Sequence, residues 1–196
     1  MQLLIATKNH KKLIEIEAIF SEFQIDYLTL RDFPKLNDVE ENGHTFQENA
    51  LIKARTYCRA TGLLTLAEDS GLCIKALNGR PGVYSARFAG PQRDDDDNLD
   101  QVLEEMKAVP MGKRQAWYQS AVAIASPEGE EVVAEGTVEG ELLFERKGSG
   151  GFGYDPIFYY PPFKTTFATV DPKEKNKVSH RYRALQAVKE KLRIFL

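Results

Sequence analysis

The sequence predicts an α/β fold built on a mixed sheet, and three stretches carry that expectation. Near the N-terminus a short apolar run is followed by apolar residues at helical spacing. Between residues 45 and 67 a helical pattern leads into a second apolar run. Residues 115–143 instead alternate apolar and polar positions around a turn, which predicts a long antiparallel hairpin.

Taken in order, Leu3–Ala6 reads as a strand and Thr7–Lys12 as the loop at its carboxyl end. Leu13, Ile16, Phe20 and Phe23 then recur with helical period. Loops in that position are where open α/β sheets bind ligands. A polar stretch runs to Gly43. Phe46, Ala50, Ala54, Tyr57 and Cys58 share one helical face; Thr45 and Glu48 form a capping box at its start, and Gly62 suits its end. Leu63–Ala67 is the next strand, with Glu68-Asp69-Ser70-Gly71 expected as an acidic loop closing it. Leu99, Val102, Leu103 and Met106 mark a helix. The run Asp94–Asp97 reads as acids at that helix's N-terminus, where the dipole favours them. Gln115–Ser126 and Glu131–Leu143 are the hairpin strands around Pro127-Glu128-Gly129. A last helix starts near Ser179 and carries Leu185, Val188 and Leu192.

The 196 residues, 42% of them hydrophobic, suffice for a sizeable core. With no internal repeat and no linker, residues 1–196 read as a single domain. A net charge of −3 argues against a nucleic-acid or anionic-membrane partner. No apolar run has the length of a signal-peptide core or a bilayer span, and Cys58 and Cys73 sit among apolar neighbours. The expectation is a cytoplasmic protein with reduced core cysteines.

Four segments carry the candidate chemistry. Thr7-Lys8-Asn9-His10-Lys11-Lys12 lies between a strand and a helix start, where backbone N–H groups and the dipole favour an anion such as phosphate. The alternative is a capped helix with surface lysines. Glu68-Asp69-Ser70-Gly71 places two acids side by side, and carboxylates without His or Cys suit Mg²⁺ rather than Zn²⁺. Adjacent residues on an extended chain face opposite sides, so both acids meet one ion only if the chain turns. Glu40 or Glu41 is a further acid within the preceding loop. In Lys147–Pro156 the glycines match G-x-G-x-x-G literally, but the prolines that follow rule out the helix which that motif must open. The segment reads instead as a loop offering Phe152 and Tyr154 for stacking and Asp155 as an acceptor, or as a hairpin loop with core aromatics. In Lys175–Arg181, His180 and Arg181 put cations in a first helical turn, against the dipole, which suggests a ligand role; pairing of Arg181 with a carboxylate is the alternative.

Together TKNHKK, ENGHTFQENALIKA, EDSGLCIKALNGRPGVYSARFAG, GSGGFGYDPIF and EKNKVSHR resemble the non-canonical purine nucleoside triphosphate pyrophosphatases, the inosine triphosphate pyrophosphatase or Ham1-like family, from Thr7 to Arg181. The resemblance implies an α/β fold with a long mixed sheet, two lobes around a central active-site cleft, and a homodimer. It implies Mg²⁺-dependent hydrolysis of ITP, dITP and XTP between the α- and β-phosphates, which removes these nucleotides before they enter DNA and RNA. By position it makes Asp69 the proton acceptor and a metal ligand, with Glu41 a ligand and Glu68 beside them. Thr7, Asn9, Lys12, Lys53 and Ser70 fall at triphosphate-binding positions, with Lys8, His10 and Lys11 in the same loop. Phe152, Gly153, Tyr154, Asp155, Lys175, His180 and Arg181 fall at nucleoside-binding positions.

Two competing readings are weaker. Ser70 or Ser179 with His180 and Asp69 would suggest a Ser–His–Asp hydrolase, but no G-x-S-x-G elbow occurs. A non-catalytic nucleotide sensor has no use for a water-activating acid beside Glu41, Lys12 and Lys53.

Overall fold

The computed structural model describes residues 2–92 and 94–195, without the side chains of Lys11 and Arg193. Among the described residues seven strands form one mixed sheet in the order β2-β1-β3-β4-β5-β6-β7. Strand β1 (Gln2–Ile5) is buried from Leu3 onward, because it pairs in parallel with β2 (Asp26–Thr29) on one side and β3 (Leu64–Ile74) on the other. Strands buried in this way read as continuous apolar runs. Strands β4 (Gln115–Ala125) and β5 (Glu131–Leu142) neighbour each other across a tight turn, in which Gly129 N–H donates to Ser126 O at 3.1 Å. A connection that short requires antiparallel strands, as the alternation predicts. Strands β6 (Phe158–Tyr160) and β7 (Thr165–Thr166) complete the antiparallel side.

Helix α1 (His10–Phe20) buries Ile16 and Phe20, and Phe23 lies just beyond its end. Helix α2 (Phe46–Thr61) starts at the predicted box: Thr45 Oγ1 accepts from Glu48 N–H at 3.1 Å and Glu48 Oε2 from Thr45 N–H at 3.3 Å. Gly62 ends it in the left-handed conformation, φ 69°. Helix α3 (Asp95–Met106) is capped by Asp94, which accepts from Asp97 N–H at 3.0 Å. Helix α4 (Pro172–Val178) starts at Asp171, with Pro172 in the first-turn position that tolerates it. Helix α5 (His180–Leu192) follows directly.

One expected loop is strand. Glu68, Asp69, Ser70 and Gly71 lie inside β3, which continues through the buried Leu72, Cys73 and Ile74. Gly71 makes no turn; it admits a close neighbour. A Cβ there would stand 2.6 Å from Gly82 O and 2.8 Å from Ser85 Cβ, so the glycine serves backbone approach within a strand.

The chain forms two compact units: Met1–Asp69 with Ser120–Gly136 and His180–Leu196, and Ser70–Gln119 with Thr137–Ser179. Each has its own core. In the first, Leu3, Ile5, Phe20, Leu66, Ile124 and Val188 pack together. In the second, Ile74, Val102, Leu142, Phe158 and Phe167 do. Both cysteines are buried and free. Among the described residues no helix is long and apolar enough to cross a membrane.

Candidate active site

Side chains alternate across a strand, so Glu68 and Asp69 leave β3 in opposite directions and meet different partners. Glu68 is almost fully buried. Its Oε1 accepts from Ser120 Oγ on β4 at 2.9 Å and from Arg181 Nε on α5 at 3.0 Å, and its Oε2 lies 3.1 Å from Lys12 Nζ on α1. Arg181 also donates to Glu15 Oε2 at 3.0 Å. Burial works to raise the Glu68 proton affinity, but Arg181 and Lys12 outweigh it and hold the carboxyl well below its usual range. Burial lowers the Lys12 ammonium, with Glu68 opposing. Arg181 is raised: its burial is outweighed by Glu68 and Glu15. Taking such charges out of water is tolerable only when they are paired this fully.

The first turn of α5 reaches this cluster because Gly136 on β5 leaves room for it. A Cβ at residue 136 would meet the His180 carbonyl and the Ala184 amide and stand 2.8 Å from Arg183 Cβ.

Asp69, 9% exposed, has a different setting. Its Oδ2 accepts from Asn49 Nδ2 at 3.0 Å, and Asn49 is itself oriented by Gly43 N–H, which donates to its Oδ1 at 2.8 Å. Lys53, one turn beyond Asn49 on the same face of α2, puts Nζ 3.9 Å from Asp69 Oδ1 and 3.3 Å from Glu41 Oε1, and donates to Glu68 O at 2.8 Å. Burial raises the Asp69 proton affinity, Lys53 opposes that, and Glu41 adds to it.

The N-terminal segment is divided. Thr7 Oγ1 accepts from Asn9 N–H at 3.1 Å, and Asn9 Oδ1 accepts from Lys12 N–H at 3.3 Å, so both residues shape the start of α1. Lys8 pairs with Asp38 at the surface, and His10 is exposed in the first turn. The Lys11 side chain lies outside the described residues. Ser70 is half-buried on β3.

In the second unit the loop after β5 closes around Asp155, which is almost fully buried. Asp155 Oδ2 accepts from Phe152 N–H at 3.0 Å and pairs with the buried Lys175 of α4, while Oδ1 accepts from Tyr118 OH at 3.3 Å. Lys175 Nζ stands 4.7 Å from the Phe152 ring centroid. Phe152 is half-buried. Tyr154 is a core residue whose hydroxyl donates to Ser85 O at 2.7 Å. Burial raises the Tyr118 and Tyr154 hydroxyls, Tyr118 further so through Asp155.

Among the described residues no group of three or more His, Cys, Asp or Glu stands ready for a metal, so Glu41, Glu68 and Asp69 do not form a three-acid set. Asp69 and Glu41 do share one cation, the Lys53 ammonium. Two carboxylates of that kind fit Mg²⁺, which takes one or two protein carboxylates and fills its remaining positions with water and phosphate.

Sequence reasoning passed over Asn49, Ser120, Glu15 and Tyr118. Asn49 had a signal, its four-residue spacing from Lys53. A serine or tyrosine within a strand has none.

A sequence model of the Ham1 family matches residues 3–191. The chain is 47% identical over 193 residues to a dITP/XTP pyrophosphatase of Bacillus cereus, covering 97% of this chain and 94% of that protein. It is 48% identical over 183 residues to a dITP/XTP pyrophosphatase of Halalkalibacterium halodurans, covering 93% and 94%. A solved structure of a HAM1 protein from Coxiella burnetii superposes with a TM-score of 0.92 at 39% identity, covering 99% of each chain.

Proposed function

Because this chain belongs to the Ham1 family, with Asp69 buried between Asn49 and a lysine shared with Glu41, we propose that it hydrolyses non-canonical purine nucleoside triphosphates (ITP, dITP and XTP) to the monophosphate and pyrophosphate. This removes them from the precursors of DNA and RNA. The observation that carries the reading is the Asp69–Asn49–Lys53–Glu41 arrangement within a chain that matches dITP/XTP pyrophosphatases over nearly its whole length.

In this reading a water attacks the α-phosphorus, the bond to the β-phosphate oxygen breaks, and pyrophosphate departs. Asp69 takes the water's proton, and Asn49 holds the carboxylate in place for it. Lys12 and Lys53 face the charge that develops on the leaving group, and Thr7, Asn9 and Ser70 contribute neutral contacts to the phosphates, with Lys8, His10 and Lys11 nearby in sequence. Asp69 and Glu41 would hold Mg²⁺, with Glu68 beside them in sequence; the chemistry that ion supplies when bound is Lewis acidity toward phosphate oxygens and water. Phe152 stacks on the base, an interaction of about 1–3 kcal/mol. Gly153, Tyr154, Asp155 and Lys175 shape its loop, and His180 and Arg181 are the remaining nucleoside-binding positions by family resemblance, with Arg181 engaged by Glu68 and Glu15. Dimer formation and a cytoplasmic location belong to the same proposal. So does a single domain over residues 1–196, supported by the interleaving of both units along the chain.

The test is product analysis with Mg²⁺ on ITP, dITP, XTP, ATP and GTP. Monophosphate and pyrophosphate from the first three, abolished by EDTA, are expected. Orthophosphate as the initial product, or no hydrolysis of those three, would overturn the proposal.

A further inference from the structure

The acidic start of α3 has no part in the chemistry above, yet it grips the glycine-rich loop at two points. At the start of that loop, Arg146 NH1 lies 2.6 Å from Asp96 Oδ1 and NH2 lies 2.6 Å from Asp100 Oδ1; NH2 also donates to Asp96 O at 3.2 Å. Further along, Gly153 N–H donates to Asp95 Oδ2 at 3.0 Å. The base of the loop is closed separately, by Lys147 N–H to Pro156 O at 2.8 Å and by Thr166 Oγ1 to Lys147 O at 2.6 Å.

Two consecutive amides therefore go to two different carboxylates. Phe152 N–H donates to the buried Asp155, and Gly153 N–H to Asp95. Together they fix the peptide planes on either side of Phe152, and with them the direction in which its Cα–Cβ bond leaves the chain. Asp95 is exposed, so water could satisfy the Gly153 amide equally well. What the side chain adds is orientation, through an acceptor oxygen held in place by helix α3.

We infer that Asp95 is a positioning residue for the nucleoside site: through Gly153 N–H it holds the Phe152 ring in its base-stacking attitude, with Arg146 bracing the loop against the same helix. The inference rests on the reading of Phe152 as the base-stacking residue.

Steady-state kinetics on ITP test it with Asp95→Ala, Asp95→Asn and Phe152→Ala, each checked by thermal unfolding. Asp95→Ala should raise KM about tenfold while kcat holds, with the unfolding midpoint lowered no further than in Asp95→Asn, which loses the same charge from the start of α3. Asp95→Asn keeps an acceptor oxygen for Gly153 and should restore most of the KM. A wild-type KM in Asp95→Ala beside a raised KM in Phe152→Ala overturns the inference alone. Equal KM loss in the Ala and Asn variants, or a midpoint that falls further in Asp95→Ala than in Asp95→Asn, also overturns it. A wild-type KM in Phe152→Ala removes the stacking reading and the inference with it.

Discussion

Glu68 and Asp69 are neighbours on β3, yet one lies against Arg181 and Lys12, while the other is held by Asn49 and shares Lys53 with a second acid. Glu68 meets Arg181, Lys12 and the Ser120 hydroxyl, and its proton affinity falls. Asp69 meets Asn49 and, at 3.9 Å, a lysine closer to Glu41, and its proton affinity rises. Burial raises the proton affinity of both, and the results are opposite because the partners differ. Glu68 is suited to hold buried cations in place. Asp69 is suited to take up positive charge brought by a ligand, or a proton released in the reaction.

The largest expected effect comes from the Asp69 side. Asp69→Asn should lower ITP turnover by at least about a hundredfold, the low end for a general base, and leave nucleotide binding largely intact, as measured by initial rates beside equilibrium binding. Near-normal turnover would end the assignment.

On the other side, Glu68→Gln should lose about 3–5 kcal/mol of stability at pH 7, because Arg181 and Lys12 are left buried with too little negative charge; denaturant unfolding measures it. The folded carboxyl lies below its unfolded value, so protonation favours unfolding. The Glu68 contribution is complete above about pH 4.3 and fades as pH falls toward the folded value. The gap between wild type and Glu68→Gln should therefore narrow in acid, and a gap independent of pH would contradict the pairing.

A smaller effect tests the helix that serves Asp69. Thr45→Ala removes the cap of α2, which carries Asn49 and Lys53, and should cost about 1 kcal/mol in urea unfolding. The smallest concerns Cys73, farther along β3, where burial acts without a charged partner and pushes the thiol up to about 11. Thiol reagents at neutral pH should modify it slowly in the native protein and rapidly in denaturant.

Much of this was legible in the residues. The Thr45–Glu48 box, the first strand and helix, and the hairpin around Gly129 follow local rules, and the structure follows them. The short strands at Asp26–Thr29 and Phe158–Tyr160 are too brief for a clear alternation, and α4, seven residues opened by Pro172, is too short for a helical period. The acidic segment misled because glycine after two acids resembles a turn, whereas Gly71 answers to Ser85 and Gly82, which lie more than ten positions away. The site divided along the same line. Asp69 and Asp155 carry signals of their own, and Lys53 came through the family resemblance. The grouping of Glu15 with Arg181 spans 166 positions and that of Glu68 with Ser120 spans 52, and no local pattern reports such contacts.

Metal-free thermal unfolding of Asp69→Asn against wild type at pH 7 tests the contrast most directly. An acid whose proton affinity is raised by folding destabilises the fold when ionised, so the neutral asparagine should hold or raise the midpoint while Glu68→Gln lowers it. A midpoint for Asp69→Asn that falls as far as that of Glu68→Gln would show that both acids serve the fold alike and would contradict the account.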